Sequence, residues 1–482
     1  MGYDASMYIN GERKEASNGE RIVVHSPIDE SVIGSVPQGT REDAVEALIS
    51  AKNAQKEWAR LPALDRAKYI RLLADQVIAN KEELAKILSM EQGKPIKESR
   101  GEVETTALFL RFAAENASRI EGEILTSSKK DEQIWIQRVP YGVTVGLVSW
   151  NFPLAIAARK LGNALVCGNA MVLKPPSVTP LTVMKMAELV EKVGFPKGVL
   201  NIVTGRGSEM GDELAKNEIT KLVSLTGGTE AGRSLLRAAA QNITVLRLEL
   251  GGKAPFIIMD DVDLEKAAEA ALIARFTNCG QICTCNERMY IHKNIYQDFL
   301  NIYIEKIKQL TVGNPLDEDT DIGPKVSKEE LEKLQIMVDN AIMDGAKILY
   351  GGGKLEGTQF EKGYWFGPTV LEVDNNNNKI MQEEIFGPVS PVMKVNDFEE
   401  ALMYANDCNY GLSAYLFTSD MYKIMQAVRE LEFGEIYTNR TNGEEINAFH
   451  NGFKLSGMGG EDGKHGLEGY LQKKTVYMNY CK

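Results

Sequence analysis

The chain has 482 residues, a formal net charge of −12 and 44% hydrophobic residues, room for about three domains of ordinary size. An acidic balance without any Lys/Arg-rich block argues against nucleic acid or an anionic membrane as partner. No apolar run approaches the roughly 20 residues of a membrane span. The polar start MGYDASMYINGERKE lacks a secretory core, so the six cysteines are expected to be reduced, in the cytoplasm.

In chain order, residues 41–120 read mostly as amphipathic helix, and EQIWIQRVP (132–140) as a β-rich piece with no helix beside it. YGVTVGLVSW is again β-rich, and NFPLAIAARKLGNALVCGN follows with helical spacing of apolar residues. AMVLKP is a buried strand stopped by Pro175 and Pro176. TPLTVMKMAELVEKVG is the next helix, with Thr179 placed as its N-cap and Pro180 at its first position. GVLNIVTG with SEMGDELAKN, then KLVSLTG with EAGRSLLRAAAQN, repeat the alternation. Strands and helices alternating at these lengths imply βαβ units, hence an α/β protein with a doubly wound parallel sheet over about 141–250. A second alternating region starts at KAPFIIMDD and runs to about Leu431; within it DNNNNK (374–379) is expected to be a surface turn. The C-terminal KKTVYMNY resembles 132–140 in having no helix beside it. Together these two strands predict a small separate sheet with edges to offer a partner subunit.

Five stretches carry chemical potential. NCGQICTCNERM (278–289) holds three thiols, Cys279, Cys283 and Cys285. Their C-x3-C-x-C spacing lacks the second ligand pair of a zinc site and contains no CxxC redox pair, so no metal is expected. Buried packing suits Cys279 and Cys285, while one Cys beside Gly280 and Gln281 is a candidate nucleophile. TGRGSEMG, with Gly207 and Gly211, and LTGGTEAG, with Gly227 and Gly228, each follow a strand and open a helix. Each is either a tight turn or a source of backbone N–H groups for a pyrophosphate. LELGGKAPF sets Glu249 among apolar residues, as a general base of raised pKa or a strand-end surface Glu. SWNFP offers Asn151 as an oxyanion donor, an N-cap, or both.

These pieces, with VLKP, EEIFGPV, NYGLSA and GFKLSGMG, stand in an order that resembles the aldehyde dehydrogenase superfamily across essentially the whole chain. The resemblance implies a Rossmann-like cofactor domain (1–120 and 141–250), an α/β catalytic domain (251–450) and small β oligomerisation strands (121–140 and 465–482). It implies that Cys283 of GQIC attacks the aldehyde, that Asn151 and the Cys283 N–H hold the oxyanion, and that Glu249 activates the water that releases a free acid rather than a CoA ester. For the cofactor it implies Val148, Ser149 and Trp150 after one strand, Lys174, Pro176 and Ser177 after the next, and the turns with Gly207 and Gly211. Thr226, Gly227 and Gly228, then Leu250, Glu384 and Phe386 complete the set. Two departures stand out. Ser177 occupies a place where NAD-preferring members often carry Glu, so NADP is the expected preference and NAD the alternative. Gly228 replaces a phosphate-contacting Ser, leaving backbone donors only.

The tail from Gly434 resembles the lactaldehyde (glycolaldehyde) branch of the family. Arg159 and His450 are polar groups expected to face the substrate, against the alternatives of a surface helix Arg and a loop-packing His. Polar donors there suit a short hydroxyaldehyde such as lactaldehyde, glycolaldehyde or glyceraldehyde. Succinic semialdehyde is the rival, because Arg also binds carboxylates. A homodimer or homotetramer is expected. A non-catalytic protein on the same fold, or a thiol-redox protein, are the readings of other class.

Overall fold

VTVGL, AMVLK and TKLVSLT have no polar face, which suits strands covered by helices on both sides. Their side chains sort by alternation. Met171, Leu173 and Leu222 enter one core, while Ala170, Val172 and Val223 enter another on the opposite face. The first core is filled by the helices Ala63–Ala79, Ile96–Glu115, Pro153–Val166 and Leu181–Val193, and the second by Arg41–Arg60 and Thr229–Ala239. The computed structural model describes residues 2–480; Met1, Cys481 and Lys482, the outermost residues of the expected domain ranges, lie outside the described residues.

The first sheet has eight strands. Thr220–Thr226 lies third from one edge, parallel to Val143–Leu147 on one side and Val245–Glu249 on the other. Ala170–Lys174 and Leu200–Ile202 continue the parallel order beyond Val143–Leu147. Two short antiparallel strands, Met7–Ile9 and Glu12–Lys14, finish one edge. The other edge is finished from the far end of the chain: Gly457 and Met458 pair antiparallel with Glu249 and Leu248. The second sheet has seven strands between Ala254 and Thr438, all parallel except Lys347–Tyr350. Residues 471–479 pair with 132–140 over nine registered positions, and Glu123–Thr126 adds a third, fully exposed strand. The fold is α/β throughout.

Local departures from the sequence expectations share one cause, long-range capping. Thr179 does not cap the helix Leu181–Val193; its hydroxyl donates to the Trp150 carbonyl. Glu91, ninety residues earlier, accepts from the N–H groups of Leu181 (2.6 Å) and Thr182 (2.9 Å). Asn151 likewise does not cap Pro153–Val166, whose N-cap position is Phe152 with no side-chain bond. Glu102 takes the role, its Oε1 accepting from Leu154 (3.0 Å) and Ala155 (3.2 Å). A carboxylate at a helix N-terminus satisfies orphan N–H groups and opposes the macrodipole. SEMGDELAKN opens as a five-residue π-helical turn, Gly207–Gly211, before the short α-helix Asp212–Lys216. DNNNNK is not a plain surface turn either. Asn376 is buried between Tyr290 and Asp407, and Asn378 caps the helix Lys379–Gln382.

Glu102 also meets Lys94 Nζ at 2.5 Å, with both side chains fully buried, and Lys94 donates to the Asn151 carbonyl at 2.9 Å. Glu102→Ala strands a buried cation and uncaps a helix, so a loss of about 3–5 kcal/mol is expected. Chemical denaturation of the variant measures it; a loss below about 1 kcal/mol would contradict this account of the pair.

Candidate active site

The parallel strands of the first sheet end at Leu147, Lys174, Thr226 and Glu249, and ligands of open α/β sheets gather beyond such ends. There a cavity of about 910 Å³ opens between the two large sheets. Asn151, Cys283, Arg159 and His450 line one part of it. Val148, Ser149, Trp150, Pro176, Thr226, Gly227, Gly228, Leu250, Glu384 and Phe386 line the rest. Four expected cofactor residues, Lys174, Ser177, Gly207 and Gly211, stand outside this cavity, as does the Glu249 side chain.

Cys283 is carried by an unusual turn. After the helix Leu264–Phe276, three successive residues take left-handed backbone: Asn278 (φ 52°), Cys279 (φ 56°) and Gly280 (φ 69°). A Cβ at Gly280 would collide with the Gly387 carbonyl, so the glycine is required. Backbone in this region is costly for Asn and Cys and persists only when its surroundings hold it. Glu98 accepts from the Asn278 N–H at 2.9 Å, and Arg275 donates to the Gly280 carbonyl at 3.0 Å. Arg275 is itself held by Glu287 at 3.1 Å.

The three thiols separate clearly. Cys279 and Cys285 are buried, and burial pushes each up to about 12, so both stay protonated. Cys285 donates to the Ala274 carbonyl at 2.9 Å. Cys283 alone is partly exposed in the cavity. Burial raises it above the ordinary thiol value, and the hydrogen bond and positive charge of His450 pull the other way.

Asn151 Nδ2 donates to the Gln281 carbonyl at 3.0 Å, and its Oδ1 accepts from Ser149 at 2.6 Å. The Gln281 carbonyl, an acceptor only and two residues before Cys283, thereby fixes which end of the amide is the donor. Glu249 is 3% exposed, and neither of its oxygens has a hydrogen bond. Its nearest cation is His450, with Nε2 3.4 Å from Oε2. Burial lifts Glu249 to about 8, with His450 opposing.

Sequence reasoning missed the acidic partners. Arg159 is buried, with Nη2 2.9 Å from Asp462 and 3.2 Å from Glu444. Glu444 also accepts from Thr284 beside the nucleophile at 3.2 Å. Glu435 holds His450 Nδ1 at 2.9 Å. Lys160, one residue after Arg159, pairs with Glu461 at 2.7 Å, and Ser224 donates to the same carboxylate. The stretches GEIYTN, NGEEIN and GGEDGKHG contain these acids, but nothing local marks which of them turn inward.

The cofactor side contains polar atoms that lack partners. Thr226 Oγ1 is buried without a hydrogen bond. Lys174 is buried with only the Pro175 carbonyl near its Nζ (3.2 Å), and desolvation lowers it to about 8. Glu384 accepts one bond, from the Gly252 N–H at 2.8 Å, and desolvation raises it to about 8. Phe386 takes left-handed backbone (φ 51°), and its ring meets Trp150 edge-on at 5.2 Å. Ser177 donates to the Gly205 carbonyl at 2.9 Å. An aromatic pair, an unpaired hydroxyl, a carboxylate and an uncompensated ammonium make a donor set that fits a ribose-and-phosphate ligand with a planar ring.

The sequence profile of the aldehyde dehydrogenase family matches residues 14–476. The 3,6-anhydro-alpha-L-galactose dehydrogenase of Vibrio sp. (strain EJY3) is 47% identical over 474 residues, covering 98% of this chain and 99% of that one. The lactaldehyde dehydrogenase of Escherichia coli (strain K12) is 41% identical, covering 98% of each. A solved 3,6-anhydro-L-galactose dehydrogenase in complex with NAP superposes with a TM-score of 0.98 at 50% identity, over 99% of this chain and 100% of that one.

Two carboxyls that titrate near 8 are unusual enough to see directly. Infrared difference spectra taken on either side of about pH 8 should show protonated-carboxyl bands lost as pH rises, one of them missing in Glu249→Gln. A band set identical in wild type and variant would mean that Glu249 is ionised throughout.

Proposed function

The chain belongs to the aldehyde dehydrogenase family, and from that premise we propose that it oxidises short, neutral hydroxyaldehydes to the free acids, with NADP preferred over NAD. The observation that carries the substrate class is the state of Arg159. Its guanidinium is already shared by Asp462 and Glu444, so a substrate carboxylate meets a compensated cation and a facing Glu444. A hydroxyl instead finds both a donor in Arg159 and an acceptor in Glu444, each left under-paired by an apolar chain. This favours the hydroxyaldehyde reading over succinic semialdehyde, and the names of the anhydrogalactose and lactaldehyde relatives point the same way.

In this reading Cys283 Sγ attacks the aldehyde carbon and the carbonyl oxygen becomes an oxyanion. Asn151 Nδ2 and the Cys283 N–H donate to that oxygen, a type of contact worth about 10²–10³ in rate for each donor. When bound, the oxidised nicotinamide accepts the hydride from the thiohemiacetal carbon. Glu249 then takes a proton from water, which attacks the thioester and frees the acid. A carboxylate of pKa about 8 is matched to this task, and because the ionised form is the base, deacylation rises as pH rises through about 8.

Lys174, Thr226, Glu384 and Phe386, with backbone donors at Gly227 and Gly228, are assigned to the dinucleotide, and the unpaired Lys174 and Thr226 atoms support this. At the adenosine end Ser177 brings no negative charge, which admits a 2′-phosphate. The NAP-bound relative supports NADP. We assign cofactor binding to residues 1–120 and 141–250 and catalysis to 251–450. Self-association into a dimer or tetramer falls to 121–140 and 465–482, where the exposed strand Glu123–Thr126 leaves a free edge.

Steady-state assays with lactaldehyde, glyceraldehyde, 3,6-anhydro-L-galactose and succinic semialdehyde test the substrate class. The best hydroxyaldehyde should exceed succinic semialdehyde about 10²-fold in kcat/KM; the reverse order overturns the reading. Cys283→Ala should abolish turnover. Glu249→Gln should keep a stoichiometric burst of reduced cofactor while steady turnover falls about 10²–10⁴-fold. If no aldehyde is turned over, the non-catalytic alternative holds.

Ser177→Glu probes the cofactor. It should raise KM for NADP about a hundredfold and leave NAD within a few-fold, since only NADP brings a like charge to that place. Equal effects on both cofactors would remove Ser177 from the site.

A further inference from the structure

Aldehyde binding needs no histidine as enclosed as His450, which is 2% exposed. Its backbone is clamped by a two-way bridge to Glu461, with N–H to carbonyl distances of 2.9 and 2.7 Å. Its ring is clamped as well, with Nδ1 2.9 Å from Glu435 Oε1 and Nε2 3.4 Å from Glu249 Oε2. Cys283 lines the same cavity as this imidazole, which lowers its pKa. The ring therefore joins the proposed nucleophile to the proposed base and is oriented by a third group from the strand Glu435–Thr438. That arrangement is the nucleophile, histidine and orienting acid of many thiol enzymes, set inside a site that also has its own carboxylate base.

The charges around the ring decide its state. Glu249 faces it from the strand Val245–Glu249, Glu435 from the second sheet, Glu444 from the following loop, and Glu461 and Asp462 from the C-terminal segment. Arg159 and Lys160 on the helix Pro153–Val166 are committed to Asp462, Glu444 and Glu461. Burial opposes a charge on His450, but Glu444 and Glu249, helped by Cys283 and Glu435, outweigh it and hold the imidazole well above its ordinary pKa. Without that cation, Arg159, already shared by Asp462 and Glu444, would be left to oppose the carboxylate charge at Cys283.

We propose that His450 is a positioning residue, kept as an imidazolium by Glu444, Glu249 and Glu435 together, and that its charge makes the Cys283 thiolate and the Glu249 carboxylate attainable in a desolvated pocket. The inference rests on the reading of Cys283 as nucleophile and Glu249 as base. On activation the S–H bond of Cys283 breaks and its proton leaves to water. The electron pair stays on Sγ beside a cation that retains both of its own protons. Glu435 holds the ring from its far side, so that the remaining N–H is directed at Glu249 and Cys283.

The pH dependence of Cys283 alkylation by iodoacetamide, followed by peptide mass in the full-length enzyme without aldehyde, tests it. In His450→Gln the midpoint should move up by about one pH unit, a tenfold loss of thiolate at neutral pH. Glu435→Gln should move it in the same direction by less, and His450→Arg should return it toward wild type. Quenching of Trp150 fluorescence by NADP checks that each variant is folded; if His450→Gln is not, Glu435→Gln carries the test. An unmoved or lowered midpoint in the folded variants overturns the proposal. Should Cys283→Ala retain turnover, the underlying assignment fails instead, whatever the alkylation midpoints do.

Discussion

The carbonyl oxygen of Asn151 is the point on which the site depends. Lys94 donates to it at 2.9 Å from the N-terminal helical layer, and Asn278 Nδ2 donates to it at 3.2 Å from the nucleophile turn. Lys94 is held in turn by Glu102, which also begins the helix that carries Arg159 and Lys160. One peptide group thus ties Asn151, the Cys283 turn and the helix carrying Arg159 to one buried ion pair. Such a pair adds little net stability over an apolar replacement, because desolvation consumes most of its Coulomb energy. Its worth here is positional.

The same logic runs through the pocket. Cations and anions are buried in nearly matched numbers, and each is oriented by at least one partner: Arg159 with Asp462 and Glu444, Lys160 with Glu461, Arg275 and Lys253 with Glu287. The groups left short of partners are Glu249, Lys174, Thr226 and Glu384. A preorganised site keeps its satisfied polar groups rigid and leaves under-satisfied the ones that will meet ligand or water.

Alternation of strands and helices made the α/β sheet legible, because period-2 and period-3.6 patterns need no tertiary knowledge. Cys283 stood out as a candidate beside Gly280 and Gln281, and its proposed role came with the family resemblance. The capping of Leu181 by Glu91, and of Leu154 by Glu102, was not, since a carboxylate fifty or ninety residues away leaves no mark beside the helix it caps. Glu435, Glu444, Glu461 and Asp462 were hidden for the same reason: an inward-facing acid in a loop looks like an outward-facing one. The enclosure that raises the Cys283 thiol, and the neighbour that opposes it, are likewise set by residues far away in the chain.

The strand Gly457–Met458 closes the first sheet against Glu249, and residues 444–462 bring the groups that surround His450. The beginning of the chain supplies the helices and the middle supplies the thiol, yet Glu249 and its neighbours are seated by residues 444–462. A chain lacking these residues would present Cys283 without its charge environment.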